Sequence, residues 1–264
     1  MCPRRSARFR RDRRGHPLYS PEIIALVFLA FFAAGVIKGT VGLGLPIVVL
    51  VFLAVPLGVT PAITLMLIPA MATNLVQALA GPSLLVLLRR LWSFLLAAAL
   101  GIWLGAQLLD DVEPETTLMA LGGLLVLYSA FSLASPQIRP PGRFEPVLSP
   151  LAGGLGGIGF GIAGIFIVPG ILYLQALGLK KNDLVQALGI TFVTLSTTLF
   201  GVFLEKGFLT SDSTLLSAAA FIPAAAGLWV GRRFRHRISE ALFRRLFFWA
   251  LLFAGLYFIV AGRS

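Results

Sequence analysis

The fold is decided by the stretch Gly35-Val-Ile-Lys-Gly39-Thr-Val-Gly42, which recurs later in the chain as Gly157-Ile-Gly-Phe-Gly161-Ile-Ala-Gly164. All three glycines of the first stretch are repeated 122 residues further on. A shared order and a constant spacing are the signature of an internal repeat, and chance matches between apolar sequences do not reproduce them. The chain is therefore predicted to contain two copies of one unit.

A second pair of matching stretches predicts that the two copies are inverted. Gly101-Ile-Trp-Leu-Gly105 is followed by acidic residues at 110–115, whereas Gly227-Leu-Trp-Val-Gly231 is followed by basic residues at 232–237. Lys and Arg near membrane-spanning helices stay on the cytoplasmic side. Equivalent helices with opposite charge at the same end are therefore expected to cross the membrane in opposite directions.

Composition places the chain among integral membrane proteins. Of its 264 residues 58% are hydrophobic and 12% charged, and its mean hydropathy is +0.92, whereas soluble domains carry roughly 25% charged residues. The net charge of +11 comes largely from a tail, residues 1–20, that holds seven arginines. Because the other basic residues bracket apolar runs instead of forming a folded basic face, nucleic acid is not an expected partner.

Ten apolar segments are predicted, of which six are 19–23 residues long and reach the roughly 20 that a spanning helix needs. The remaining four form two adjacent pairs, each broken by glycine. The segments lie at 22–38, 46–56, 61–82, 91–109, 117–135, 147–160, 165–177, 183–204, 213–231 and 239–261.

The pair at 147–177 is predicted to be re-entrant, because basic residues stand at both its ends and each arm has about 13 residues, short of a core about 30 Å thick. Symmetry predicts the same for 22–56, which places the basic tail outside against the positive-inside rule. The alternatives are that the tail is not native or that the first unit crosses the membrane fully. The predicted organisation is a disordered tail at 1–20 and two inverted all-α repeats, 21–138 and 139–264. Each repeat has a glycine-broken re-entrant helix pair plus three spanning helices.

The glycine-rich breaks and the polar residues near them are predicted to bind a small anion. Non-helical backbone persists in a bilayer only where protein buries it or where it lines a cavity, and free amides at a helix N-terminus attract negative charge. Lys38 is a cation in an apolar run with no carboxylate nearby in sequence. The predicted substrate-binding residues are Lys38, Gly39, Thr40, Gly42, Gly44, Asn74, Gln77, Gly161, Gly164, Thr191 and Thr194.

Each of these residues also has a structural interpretation. The glycines can let helices pack closely, and the polar residues can hydrogen-bond helix to helix for about 0.6 kcal/mol each. The Lys38 ammonium can extend to water at a hairpin tip. All eleven Asp and Glu residues lie in the tail or at segment ends, and the single cysteine and both histidines lie outside the apolar segments. No enzymatic activity, metal site or other cofactor is therefore predicted.

The chain resembles the TauE/SafE family of membrane transporters, also called sulfite exporters, over residues 22–262. The stretches that carry the resemblance are Gly39–Pro46, Ile68–Gln77, the run Gly161…Gly164…Pro169, and Phe243–Phe248. The resemblance implies a polytopic protein of the inner membrane, built from two repeats, that moves sulfite, an organosulfonate or another small organic anion.

Two functions are expected to compete. In the first, a secondary carrier or facilitator binds its small anion between the two breaks, and one repeat rocks against the other to alternate access. In the second, a non-transporting membrane module uses the basic tail to bind anionic lipid or a protein. The sequence predicts the lipid bilayer as a partner in both cases, and it fixes no oligomeric state.

Overall fold

The computed structural model describes residues 20–41, 44–108, 113–134, 140–166, 169–234 and 240–263, with side chains omitted at 41 and 240–244. Within these ranges the chain is helical and contains no strand. A short 3-10 helix, Gly142–Phe144, precedes α6. The ten α-helices are α1 (Pro21–Val41), α2 (Leu45–Leu57), α3 (Val59–Leu79), α4 (Leu84–Leu108), α5 (Pro114–Ala134), α6 (Glu145–Ala163), α7 (Gly170–Ala176), α8 (Lys181–Glu205), α9 (Ser211–Phe234) and α10 (Glu240–Ala261).

The ten predicted apolar segments correspond to these ten helices, and the all-α membrane architecture is confirmed. Among the described residues, seven helical stretches are long and apolar enough to cross a bilayer. The basic tail at 1–20 lies outside the described residues except for Ser20, and the predicted repeat boundaries stay predictions.

Several predicted boundaries were wrong where charge or glycine interrupts an apolar run. Helix α4 begins at Leu84, so Arg89 and Arg90 lie inside the helix and not before it. Arginine propagates a helix well, and its long side chain carries the charge away from the axis. Helix α1 likewise continues through Gly39 to Val41. The glycine-rich stretches are therefore mostly helical, and the breaks are short.

The prediction that both arms of a hairpin are too short to span was wrong for the outgoing arms. We call α1–α2 the first hairpin and α6–α7 the second hairpin. Helices α1 and α6 have 21 and 19 residues, whereas the returning helices α2 and α7 have 13 and 7. At 1.5 Å per residue α6 is about 28 Å long and α7 about 10 Å. Helix α7 is therefore too short to cross a hydrocarbon core about 30 Å thick by itself.

One arginine joins the two ends of the second hairpin. Arg90 of α4 donates Nε to Glu145 Oε1 at 2.7 Å and Nη2 to Glu145 Oε2 at 2.9 Å. Nη2 also donates to the carbonyl oxygen of Leu177 at 3.3 Å. Glu145 begins α6 and Leu177 follows α7. The hairpin therefore returns to the level at which it started.

The most extensive helix contacts all join a helix from residues 21–138 to a helix from residues 139–264. These pairs are α1 with α9, α4 with α6, α3 with α8, and α5 with α10. In chain order, α1 to α5 correspond to α6 to α10. Under this correspondence the pair α1 with α9 becomes the pair α6 with α4, and the pairs α3 with α8 and α5 with α10 each become themselves. The two halves are thus interlocked, and the first helix of each half packs on the fourth helix of the other.

Glycines make the closest of these contacts. A Cβ added to Gly35 would lie 2.2 Å from the carbonyl oxygen of Ala224, and one added to Gly227 would lie 2.1 Å from that of Phe32. In the other half, a Cβ on Gly157 would lie 2.2 Å from the carbonyl oxygen of Ala98. Backbones at these positions touch directly, as small residues allow between membrane helices.

The central pair, α3 and α8, is held by buried amide side chains. Gln186 of α8 donates Nε2 to the carbonyl oxygens of Ala78 at 2.8 Å and Gly81 at 2.7 Å, and its Oε1 accepts from the Ser83 amide at 3.1 Å. The C-terminal end of α3 therefore lies against the N-terminal part of α8. The other end of α3 meets the start of α9, where Ser217 Oγ donates to the carbonyl oxygen of Leu65 at 2.7 Å.

Candidate anion-binding site

The structure buries Lys38 in the last turn of α1, where its side chain reaches across to α3. Its relative exposure is 5%. The ammonium donates one hydrogen bond to Thr73 Oγ1 at 3.0 Å and another to Asn74 Oδ1. Two of the three ammonium donors are therefore satisfied by neutral oxygens. We call Lys38, Thr73 and Asn74 the polar triad.

Thr73 is oriented by a second hydrogen bond. Its hydroxyl donates to the carbonyl oxygen of Pro69, one turn earlier on α3, at 2.7 Å. Because the hydroxyl has a single proton, that bond turns an oxygen lone pair towards Lys38. The chain of donors therefore runs from Lys38 through Thr73 to Pro69.

Pro69 removes a backbone hydrogen bond from α3, and a side chain of α9 replaces it. Proline has no N–H, so the carbonyl oxygen of Leu65, four residues earlier, loses its helical donor. Ser217 of α9, fully buried, donates its hydroxyl to this oxygen. A free carbonyl in a membrane interior would cost several kcal/mol. The hydroxyl of Ser217 therefore stabilises α3 with a proline one turn before Thr73.

The polar triad has more donors than acceptors. Among the described residues, Lys38 uses two of its three ammonium protons in hydrogen bonds, and Asn74 takes part through its Oδ1, not through its Nδ2 amide. Lys38 contacts no carboxylate in this part of the chain. Where α1 packs on α9, the charged residue beside Lys38 is another cation, Arg232. A Cβ added to Gly39 would lie 2.9 Å from the backbone nitrogen of Arg232. The triad is thus an electropositive site with unused N–H groups.

The glycines predicted to line the site mostly face other helices. A Cβ on Gly39 would lie 2.4 Å from the carbonyl oxygen of Leu228 on α9, and one on Gly161 would lie 2.5 Å from that of Ile102 on α4. Gly44 and Gly164 do lie at the breaks, in left-handed backbone with φ of +103° and +69°. Gly42 lies outside the described residues. A binding role for these glycines stays a prediction, although packing already explains Gly39 and Gly161.

The remaining predicted site residues are dispersed. Thr40 donates its hydroxyl to the carbonyl oxygen of Val36 at 2.8 Å, within its own helix. Gln77 donates Nε2 to the carbonyl oxygen of Val185 on α8 at 2.8 Å. Thr194 donates to the carbonyl oxygen of Ile190 on α8 at 3.0 Å.

Thr191 differs from these residues because its hydroxyl is fully buried with no partner among the described residues. The structure therefore brings together Lys38 and Asn74, and it adds Thr73, which the sequence analysis did not include. A threonine one turn after a proline and beside an asparagine was the available signal for Thr73.

The second hairpin has aromatic residues where the first has the polar triad. Phe160 occupies the position that corresponds to Lys38 and is fully buried. On the returning side of the second hairpin, Phe94 of α4 contacts Phe166 edge-on at a centroid distance of 5.8 Å and stacks on Tyr173 at 5.4 Å. Phe166 also meets Phe192 of α8 edge-on at 6.2 Å. We call Phe94, Phe166, Tyr173 and Phe192 the aromatic cluster.

Comparison with known proteins identifies the family. The sequence profile of the sulfite exporter TauE/SafE family matches residues 27–258, which include most of the first hairpin, all of the second and the polar triad. No curated protein and no solved structure matches the chain. The family comprises membrane transporters of sulfur-containing anions and not enzymes. With the helical membrane architecture and a match over most of its length, the chain belongs to the sulfite exporter TauE/SafE family.

Proposed function

We propose that this protein is a secondary carrier or facilitator of a small sulfur-containing anion, sulfite or an organosulfonate, and that the anion binds at the polar triad. The protein acts in the cell inner membrane as two inverted repeats. The observation that supports this function best is the buried Lys38 ammonium, which contacts hydroxyl and amide oxygens and no carboxylate among the described residues. A buried charge without a counter-ion is costly, and an anionic substrate supplies the missing charge.

The binding geometry follows from the unused donors. An oxyanion beside the triad accepts the third Lys38 proton, and a second oxygen accepts from Asn74 Nδ2. Hydrogen bonds to charged groups are roughly twice as strong as neutral ones, so this pair of contacts fixes both position and charge. Thr73 accepts from Lys38 and keeps the ammonium directed at the site.

In alternating access, the groups of helices that move as rigid units are not the two repeats themselves. Rocking one repeat against the other would separate the backbone contacts at Gly35, Gly157 and Gly227, all of which cross between the halves. In our proposal α1 therefore moves together with α9, and α6 moves together with α4. The polar triad lies within the first of these groups and its neighbour α3, and it stays intact during the cycle.

Transport in proteoliposomes tests the function. Purified protein is reconstituted, and uptake of radiolabelled sulfite is compared for the wild type, Lys38→Gln and Lys180→Gln. Lys180 is exposed at the start of α8, so its substitution is the matched control. Loss of a buried charge partner costs about 2–5 kcal/mol, so Lys38→Gln is expected to lower uptake by roughly 100-fold, with Lys180→Gln close to the wild type. Equal uptake by all three proteins would contradict the assignment of the site.

The competing function, a non-transporting module that acts through its basic tail, rests on residues outside those the structure describes. Deletion of the tail, residues 1–20, distinguishes this function from that of a carrier. The carrier function predicts that the shortened protein still transports sulfite, whereas the module function predicts no transport by either form.

A further inference from the structure

We infer that the polar triad selects monovalent oxyanions over divalent ones. This inference rests on the proposed function, because it concerns the charge of the substrate at the same site. Three observations carry it: the buried charge at the triad is that of one lysine, the triad offers few hydrogen-bond donors, and the described side chains around it include no second buried cation.

Few charged residues of the described elements lie near Lys38. Helices α2 and α3 contain no charged residue, and the only other charged residue of α1 is Glu22, sixteen residues away in its first turn. That separation is about 24 Å along a helix. On α9, Arg232 and Arg233 have exposed side chains, as does Arg245 on α10. Of these cations, Arg232 lies near enough to interact electrostatically with Lys38, but an exposed charge acts through water of high dielectric constant and contributes less than a buried one.

Helix α8, which packs on α3, brings no cation to the triad. Asp183, in its first turn, accepts a hydrogen bond from Ser83 Oγ at 2.7 Å, beyond the C-terminal end of α3. Lys180 and Lys181 precede this carboxylate at the same end of the helix and are exposed. Among the described side chains, Lys38 is therefore the one buried cation beside a bound anion, and Arg232 acts on the site only from an exposed position.

Charge balance then sets the selectivity. A monoanion beside Lys38 makes the buried pair neutral, and the unused Lys38 and Asn74 donors satisfy two of its oxygens. A dianion leaves one negative charge without a partner and further oxygens without donors. Burial of an unpaired charge carries a desolvation penalty that a single cation does not offset. Sulfonate groups and hydrogensulfite carry one charge, whereas sulfate and fully ionised sulfite carry two.

Methanesulfonate and sulfate test this selectivity, because they are similar in size and hold charges of one and two at any pH near neutrality. Each is added at constant ionic strength to the purified full-length protein, and the shift of the unfolding temperature is measured against concentration, since a ligand of the folded state stabilises it. The variants are the wild type, Lys38→Gln and the exposed control Lys180→Gln. Competition of both anions against labelled sulfite uptake in proteoliposomes provides the second measurement.

Methanesulfonate is expected to stabilise the wild type and Lys180→Gln at concentrations at least about tenfold below those that sulfate needs, and to have no effect on Lys38→Gln. A sulfate affinity equal to or above that of methanesulfonate, still dependent on Lys38, would overturn the charge selectivity and leave the proposed function standing. Absence of binding and of sulfite uptake in the wild type would instead overturn the proposed function. Binding that persists in Lys38→Gln would remove the triad as the site.

Discussion

The two hairpins share a backbone plan and differ in what they bury at its centre. The first hairpin places Lys38 against Thr73 and Asn74 of the same half. The second has Phe160 at the equivalent position. Its Phe166 and Tyr173 pack against Phe94, which belongs to the other half. One hairpin buries a charge, and the other buries aromatic rings.

The difference also extends to the hairpin ends. Arg90 joins the start and the end of the second hairpin, whereas the residue that corresponds to Arg90 in the other half is the apolar Leu216. The duplicated features are thus the glycines at which helices touch, and the features that diverged are the side chains at the centre and at the ends. Close packing constrains both halves equally, while the chemistry is confined to one.

The largest expected effect concerns the shared glycines, where the two halves should respond alike. Gly35→Ala and Gly157→Ala each place a methyl group 2.2 Å from a backbone oxygen. Backbone cannot rotate away as a side chain does, so each substitution is expected to destabilise the fold by about 3 kcal/mol or more. The measurement is the unfolding temperature of the purified variants in detergent.

The controls are helical glycines in open space, one from each half. A Cβ on Gly123 or Gly201 meets nothing within 4 Å, and Gly→Ala in a helix is stabilising by roughly 0.5–1 kcal/mol when space allows. A strong loss of stability in one hairpin and none in the other would show that the packing is not duplicated.

The second prediction gives the first hairpin an internal counter-ion. Asn74→Asp places a carboxylate beside the Lys38 ammonium, which neutralises the charge that the proposed substrate needs. A buried ion pair is close to neutral for folding, so the variant is expected to fold with an unfolding temperature near that of the wild type. Sulfite uptake is expected to fall by roughly 100-fold. The matched control is Asn182→Asp, at an exposed position in the first turn of α8.

Uptake by Asn74→Asp at the wild-type rate would mean that Lys38 does not act as the anion's partner. The triad would then be a structural hydrogen-bond cluster, and the difference between the hairpins would concern packing alone.

Sequence alone predicted the helices well because long runs of Leu, Val, Ile and Ala are sufficient to define a membrane segment. It identified Lys38 and Asn74 but also assigned Gln77, three residues after Asn74, to the same site. Three residues turn a helix by about 300°, which leaves the two side chains 60° apart. That angle is enough for Asn74 to contact α1 while Gln77 contacts Val185 of α8.

The role of the glycines could not be decided from the sequence for a different reason. The stretch Gly35–Gly42 is compatible with a helix break and with close helix packing, and the choice depends on what lies opposite. The partners of Gly35 and Gly39 are Ala224 and Leu228, nearly 190 residues away in the chain. No local pattern contains that information, so the breaks were predicted to be longer than they are.

A third, smaller effect is expected at Thr73. Thr73→Val keeps the shape of the side chain but removes the oxygen that accepts from Lys38 and the proton donated to Pro69. The ammonium loses one of its two fixed contacts, and the affinity for methanesulfonate is expected to fall by roughly tenfold. Thr73→Ser should restore it, because serine retains the hydroxyl.

Thr64→Val separates positioning from packing in this test. Thr64 is buried on the same helix, and its hydroxyl donates to the carbonyl oxygen of Thr60 at 2.9 Å without contacting Lys38. Both valine variants should have similar unfolding temperatures, and only Thr73→Val should bind the anion more weakly. An equal loss of affinity in both would indicate a general response of α3.

The smallest effect is expected at the ends of the second hairpin. Arg90→Leu removes the bonds to Glu145 and Leu177, but both charged side chains are partly exposed, 37% and 28%, where an ion pair contributes about 1 kcal/mol or less. Arg89→Leu, at an exposed neighbouring residue, is the control. Only Arg90→Leu should lower the unfolding temperature, and high salt should reduce the difference between the two variants because salt screens the pair. Since the bonds of Arg90 join residues of the second hairpin and none of the polar triad, methanesulfonate affinity should be unchanged in both. A loss of that affinity in Arg90→Leu would show that the second hairpin contributes to binding, and the division of labour between the two hairpins would have to be abandoned.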